Sequence, residues 1–235
     1  MAARSLARAA ASGRGRSRLP RAARAQSSAP PAIVIDHPLI QHYLTQLRDM
    51  RTAPEEFRHR LAQVSALMVY EATRTFRTRA LQVRTPLAAC AGAKLRDDIL
   101  IVPILRAGLG MLESILELIP HACVGFLGMQ RHHRTLRATV YHKSLPADLR
   151  SSEIVLIDPM LATGGSALAA LRLLHERGAR RVRLVSLVAA PEGIARVRQQ
   201  YPDLPIFTAA IDARLNRRGY IVPGLGDAGD RLFGV

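Results

Sequence analysis

The chain has 235 residues, 49% hydrophobic and 4% aromatic, which suits one domain around an aliphatic core. No apolar run approaches the roughly 20 residues of a membrane-spanning helix. Cys90 and Cys123 have neither CxxC nor Cys/His spacing, so neither a disulfide framework nor a zinc site is expected; both thiols are read as core residues in a reducing compartment.

The net charge of +16 is unevenly placed, because residues 1–35 hold Arg4, Arg8, Arg14, Arg16, Arg18, Arg21 and Arg24 and no acid; without them the charge is +9. This Ala-, Ser- and Arg-rich stretch has no apolar h-region, which excludes a secretory signal. Residues 1–32 read as a disordered basic tail, an over-long start or an organellar transit peptide. The cytoplasm is the expected compartment and an organelle the alternative.

Ordered structure is expected from Ile33 to Val235. Residues 39–50 and 55–76 read as helices, the second with Phe57, Leu61, Val64, Met68 and Ala72 at intervals of three and four and Pro54 in its first turn. Leu81, Val83, Thr85 and Leu87 alternate as in a strand, at an edge because of Pro86. Residues 99–102 form an unbroken aliphatic run that ends at Arg106-Ala107-Gly108, before a helix over 109–118. Residues 122–129 read as a further strand. Residues 131–143 then carry Arg131, Arg134, Arg137 and Lys143 without an acid, the charge a flap over a polyphosphate would need. His132 and His133 among arginines make a poor metal site.

The central stretch, 153–168, reads EIVLIDPMLATGGSAL. Residues 154–157 suit a strand buried on both faces, Asp158 stands at its end, and 163–166 make a small-residue turn into a helix over 167–176. A glycine turn that opens a helix offers free N–H groups and the positive end of the helix dipole to a phosphate. Residues 182–188 and 206–211 read as further strands and 191–200 as a helix. Glu192 suits that helix's first turn. Strands alternating with helices imply an open, mostly parallel α/β sheet with ligands at the strands' carboxyl ends. The final stretch, GYIVPGLGDAGDRLFG over 219–234, is too rich in glycine and proline for a regular helix or strand, and too apolar for a free tail. It can bring backbone groups up to the polar edge of a flat base.

The order carboxylate, spacer, ThrGlyGlySer, helix resembles the phosphoribosyl diphosphate motif of type I phosphoribosyltransferases. Asp158-Pro159, ProIleLeuArgAlaGly over 103–108, ValAlaAlaProGluGly over 188–193 and the final loop resemble uracil phosphoribosyltransferases, in order from about residue 36 to 235. The resemblance implies that fold, with a β-arm or flap and a C-terminal base-binding loop, and a non-proline cis peptide in the 103–108 loop. It assigns phosphoribosyl diphosphate to Arg106, Arg131, Asp158, Pro159, Met160, Leu161, Ala162, Thr163, Gly164, Gly165, Ser166 and Asp227. It assigns uracil to Ile221, Gly226, Asp227 and Ala228, and catalysis to Asp227, Arg106 and Asp158.

Asp227 would either favour a developing positive charge or orient a metal and uracil N1. Mg2+ is expected mainly on the substrate diphosphate, with no metal site of the protein's own. GTP is a possible effector, and a homo-oligomer of two or more chains is expected, without membrane or nucleic-acid partners. A phosphoribosyl-diphosphate-sensing regulator that binds nucleic acid, or a homologue that binds without turnover, is the alternative. The flap departs from the family pattern in its basic His132-His133-Arg134 run.

Overall fold

The computed structural model describes residues 32–131 and 138–235. The expected basic tail up to residue 31 and the 132–134 run of the flap lie outside the described residues. In chain order the elements are β1 (Ile33–Val34), α1 (Pro38–Arg48), α2 (Pro54–Ala72), β2 (Thr78–Arg84), β3 (Ala89–Leu95), β4 (Ile99–Leu105), α3 (Leu109–Leu118), β5 (Cys123–Val124), β6 (Phe126–Arg131) and β7 (Ala138–Ser144). There follow β8 (Glu153–Ile157), β9 (Met160–Leu161), α4 (Gly165–Glu176), β10 (Arg181–Ala189), α5 (Pro191–Gln200), β11 (Ile206–Ile211), β12 (Arg214–Leu215), β13 (Ile221–Val222) and α6 (Ala228–Phe233).

The main sheet runs β1-β11-β10-β8-β4-β6-β7, with β5 beside β4 and β9 beside β10. Every pairing in it is parallel except β6 with β7, so the expected open, mostly parallel sheet is found. The aliphatic runs work because a strand covered on both faces needs apolar residues at every position. Ile99 and Ile101 of β4 and Val155 and Ile157 of β8 join a core with α1, α2, α3 and α6. Their alternates Leu100, Val102, Ile154 and Leu156 join a second core with α4 and α5.

Several expectations are corrected. The second helix ends at Ala72 rather than 76, because Thr73 closes it: its N–H and its hydroxyl both bond the Val69 carbonyl, each at 2.9 Å. The strand expected over 122–129 is split at Gly125, whose N–H bonds Ile101 O at 3.0 Å. Strand β5 pairs with the start of β4 and β6 with its end. Cys90 and Cys123 are exposed, not core thiols. Cys90 lies on a hairpin of β2 and β3 that, among the described residues, pairs with no other strand, and Thr85 closes its turn by accepting from the N–H groups of Leu87 and Ala88. The last stretch does hold regular structure: β13 pairs antiparallel with β12, and 228–233 is helical. That helix forms despite its glycine because Asp227 caps it.

Candidate active site

Strands β4 and β8 end side by side, since Pro103 pairs with Ile157 at the last step of their ladder. The chain beyond each end, with the C-terminal segment opposite, encloses a cleft of ≈ 240 Å³. Arg106, Asp158, the run from Met160 to Ser166, Ile221, Gly226, Asp227 and Ala228 all line it. Pro159 is buried behind the lining, where its carbonyl accepts from Val188 N at 3.0 Å. Arg131 ends β6, pairing with Ala138 at the last step of the β6–β7 ladder before the connection between the two strands; its side chain lies outside the described residues.

The loop between β8 and α4 is held from beneath. Its middle, β9, adds to β10 at Val188 and Ala189, and the Leu161 carbonyl accepts from Ala190 N at 2.9 Å. Arg196 of α5 donates to the Thr163 carbonyl at 3.2 Å. Gly164 then takes φ +73°, a left-handed conformation that L side chains resist, and turns the chain into α4. Among the described residues no side chain caps α4. Its first-turn N–H groups therefore lack intrahelical partners beside the cleft, at the positive end of a twelve-residue helix dipole, which suits a phosphate.

Asp158 faces the same space half-buried, and its Oδ1 receives one long contact from Met160 N, at 3.4 Å. Burial with so little compensation pushes its carboxyl up to about 7. The sign follows from the direction. An acid whose pKa is raised by folding contributes its full stability below the ordinary carboxylate value near 4, and loses it as pH rises through about 7. Asp158→Asn, which removes the charge, is expected to melt roughly 3–6 °C above wild type at pH 8, about 1–2 kcal/mol after allowing for solvent access, with the gap narrowing below about pH 7 and closing near pH 4. Thermal melts of both proteins across that range check this, and a gap independent of pH would contradict it.

The peptide between Leu105 and Arg106 is cis, as the resemblance implied. The Arg106 side chain is 60% exposed, 3.7 Å from Asp230 of α6 and with its guanidinium carbon 5.7 Å from the centre of the Phe233 ring. It is thus tethered loosely on the cleft rim. Asp227, opposite, accepts from Gly229 N at 2.9 Å and Asp230 N at 3.1 Å, so a residue expected only as part of the site also starts α6.

Some contributors were not expected. Tyr220 and Gly229 also line the cleft. Glu192, expected as a dipole charge, accepts from Leu215 N at 2.9 Å and so ties α5 to β12. Behind the final loop, Arg48, Asp212 and Arg231 bond its backbone. Arg48 and Asp212 are 164 positions apart, and no motif signals them. Arg231 lies inside the GDAGDR run, where it reads as a surface charge.

Among the described residues no three His, Cys, Asp or Glu side chains gather to hold a metal ion. The two lining carboxylates named above suit a cation that arrives already bound to a polyphosphate. Among the described residues no helix is long and apolar enough to cross a membrane.

A family model described as uracil phosphoribosyltransferase matches residues 34–235. A uracil phosphoribosyltransferase of Dictyoglomus turgidum is 52% identical over 204 residues, covering 86% of this chain and 99% of the relative. The solved structure of a protein from Aquifex aeolicus superposes with a TM-score of 0.84 at 40% identity, over 87% of this chain and 98% of that one. Adenine phosphoribosyltransferase of Leishmania tarentolae shares the fold alone, with a TM-score of 0.51 at 18% identity over 78% of this chain and 93% of that one.

Proposed function

The chain belongs to the uracil phosphoribosyltransferase family, and we infer from that membership and from its cleft that it is a pentosyltransferase moving the phosphoribosyl group of phosphoribosyl diphosphate to N1 of uracil, with release of diphosphate and UMP. One observation carries this reading: three stretches far apart in sequence, around Arg106, over 158–166 and over 219–229, converge on one cleft.

In this reading the first turn of α4 and residues 163–166 anchor the 5′-phosphate, and Asp158 holds the ribose hydroxyls. Arg106 swings from Asp230 to the departing diphosphate, a group to which the family resemblance also assigns Arg131. Backbone groups of Ile221, Gly226 and Ala228 pair with the alternating carbonyl and N–H edge of uracil. Breaking a glycosidic C–O bond passes through an oxocarbenium-like state. The protein therefore contributes placement and charge, with no covalent nucleophile. Mg2+ carried by the diphosphate would neutralise charge on the leaving group. A nucleic-acid-binding sensor would have no use for the base loop.

The β2–β3 hairpin supports a homo-oligomer. A two-stranded ribbon is marginal alone in water, and this one leaves Leu81, Val83 and Leu87 exposed, a surface suited to a second copy of the chain. The uracil phosphoribosyltransferase relative reported above is bacterial, and we propose the cytoplasm as the compartment. An organellar reading of the basic tail draws no support from it.

The test is diphosphate release with phosphoribosyl diphosphate, Mg2+ and each base in turn. Turnover is expected with uracil and not with adenine, hypoxanthine or orotate. Arg106→Ala should raise the KM for phosphoribosyl diphosphate about tenfold or more, the loss of one charged hydrogen bond, with the KM for uracil little changed. Binding of phosphoribosyl diphosphate without turnover on any base would sink the proposal. GTP added to the same assay reads the effector implied by the resemblance.

A further inference from the structure

The base-binding loop is held from behind by charged groups that do not line the cleft. Asp212 directly follows β11 and is buried, its side chain only 6% exposed. Arg48, the last residue of α1, grips it with both ends of its fork, at 2.8 and 2.7 Å. Each partner also takes one backbone group of Gly224: Asp212 Oδ2 accepts from its N–H at 2.8 Å, and Arg48 donates to its carbonyl at 2.8 Å.

Gly224 has φ +60°, and a Cβ there would stand 2.3 Å from the Ile221 carbonyl oxygen. Its turn is thus both tight and fully bonded. The next carbonyl, of Leu225, accepts from Arg231 at 3.0 Å. Arg231 in turn donates to the carbonyls of Leu47 and Asp49 at the end of α1 and lies over the Phe57 ring, 4.5 Å from its centre. Residues 224 and 225 are therefore fastened to the end of α1 by two guanidinium groups, immediately before Gly226 and Asp227 enter the cleft.

We infer that Arg48, Asp212 and Arg231 are positioning residues that set where the backbone of 226–228 meets uracil, and so govern affinity for the base and not for the sugar phosphate. The inference rests on the reaction proposed above. Its logic is geometric: a displaced N–H or C=O of the main chain cannot be corrected by a rotamer change. The phosphate loop at 160–166 hangs from β10 and α5 and draws nothing from this clamp.

The decisive variant is Arg48→Lys, which keeps the charge but replaces the planar fork by a single ammonium that cannot serve both Asp212 oxygens and the Gly224 carbonyl. The expected result is a rise of at least about tenfold in the KM for uracil, with the KM for phosphoribosyl diphosphate within about threefold of wild type. A folded variant with unchanged KM for uracil would overturn the assignment, as would a parallel rise in both KM values or a fall in kcat alone. If Arg48→Lys does not fold, Arg231→Lys is read by the same criterion. Loss of fold in both would make the clamp purely structural and overturn it too. A wild-type protein that releases no diphosphate with uracil removes the reaction reading and this role together, an outcome distinct from a failure confined to the variants.

Discussion

Replacing Asp227 by asparagine is expected to lower kcat about 10²- to 10³-fold, roughly 3–4 kcal/mol of transition-state stabilisation, while the melting temperature stays within about 1 °C of wild type. The two effects separate because Asp227 has two tasks. As the residue before α6 it accepts from the N–H groups of Gly229 and Asp230. Asparagine ranks with aspartate at this position and keeps the cap through its side-chain oxygen. What it lacks is the negative charge, half-buried at the cleft wall, where a cationic sugar carbon or the proton leaving uracil N1 would feel it.

Asp227→Ala is the informative companion. It removes cap and charge together, about 1 kcal/mol of stability or a few degrees of melting temperature, and should weaken uracil binding as well because Ala228 loses its fixed start. Near wild-type turnover in Asp227→Asn, measured by diphosphate release at saturating substrates, would confine this residue to capping.

Much of this was legible in the sequence, for identifiable reasons. Strands covered on both faces favour aliphatic residues throughout, so β4 and β8 stand out through their unbroken runs at 99–102 and 154–157, while β10 carries Arg183 and Ser186 within its apolar stretch. Asp158 and Arg106 were legible as site residues because each stands where such a run stops, and the carboxyl ends of parallel strands are where ligands bind. The β2–β3 hairpin was half visible: Leu81 and Val83 alternate, but β3 is AlaCysAlaGlyAlaLysLeu, too small and mixed to read as a strand before its partner is known. Strand β9 was hidden inside what looks like a spacer, since two residues carry no periodicity and only the β10 backbone makes them a strand.

The final segment shows the opposite limit. Five glycines and a proline argue against helix by propensity, and α6 forms anyway, through an aspartate cap and the burial of Leu232. Tertiary contacts outweigh a propensity difference of about 1 kcal/mol per glycine. The clamp of Arg48 and Asp212 was beyond reach for a different reason. Its specificity lies in the meeting of two ends of the chain, and a lone arginine at a helix end reads as a dipole charge.

Gly193 extends this reasoning to a residue that the sequence presents only as part of a run. It is buried in the first turn of α5, and a Cβ built on it would stand 2.3 Å from the Ala162 carbonyl oxygen and 2.8 Å from that of Leu161. Both obstacles are backbone, so no rotamer relieves them. From the other side, a Cβ on Gly164 would stand 3.0 Å from the Gly193 carbonyl oxygen. The phosphate loop and α5 thus touch main chain to main chain. Gly193→Ala must separate them by about 1 Å. Overpacking of this kind costs about 1–3 kcal/mol, at the upper end where backbone has to move, or roughly 6–10 °C in melting temperature.

The kinetic effect should exceed the thermal one. A displacement of about 1 Å in groups that orient a substrate lowers turnover on the order of 10²-fold. Here it falls on 160–164, so the KM for phosphoribosyl diphosphate should rise as well. Gly92→Ala on the hairpin is the control, because its Cβ would meet the side chains of Val83 at 3.4 Å and Leu81 at 3.8 Å, both ordinary contacts, and should leave stability and activity unchanged. If Gly193→Ala binds phosphoribosyl diphosphate as wild type does, the loop is adaptable and its close seat on α5 has no part in placing the phosphate. If it binds weakly while still folded, the glycine is what lets the helix come near enough to set the loop.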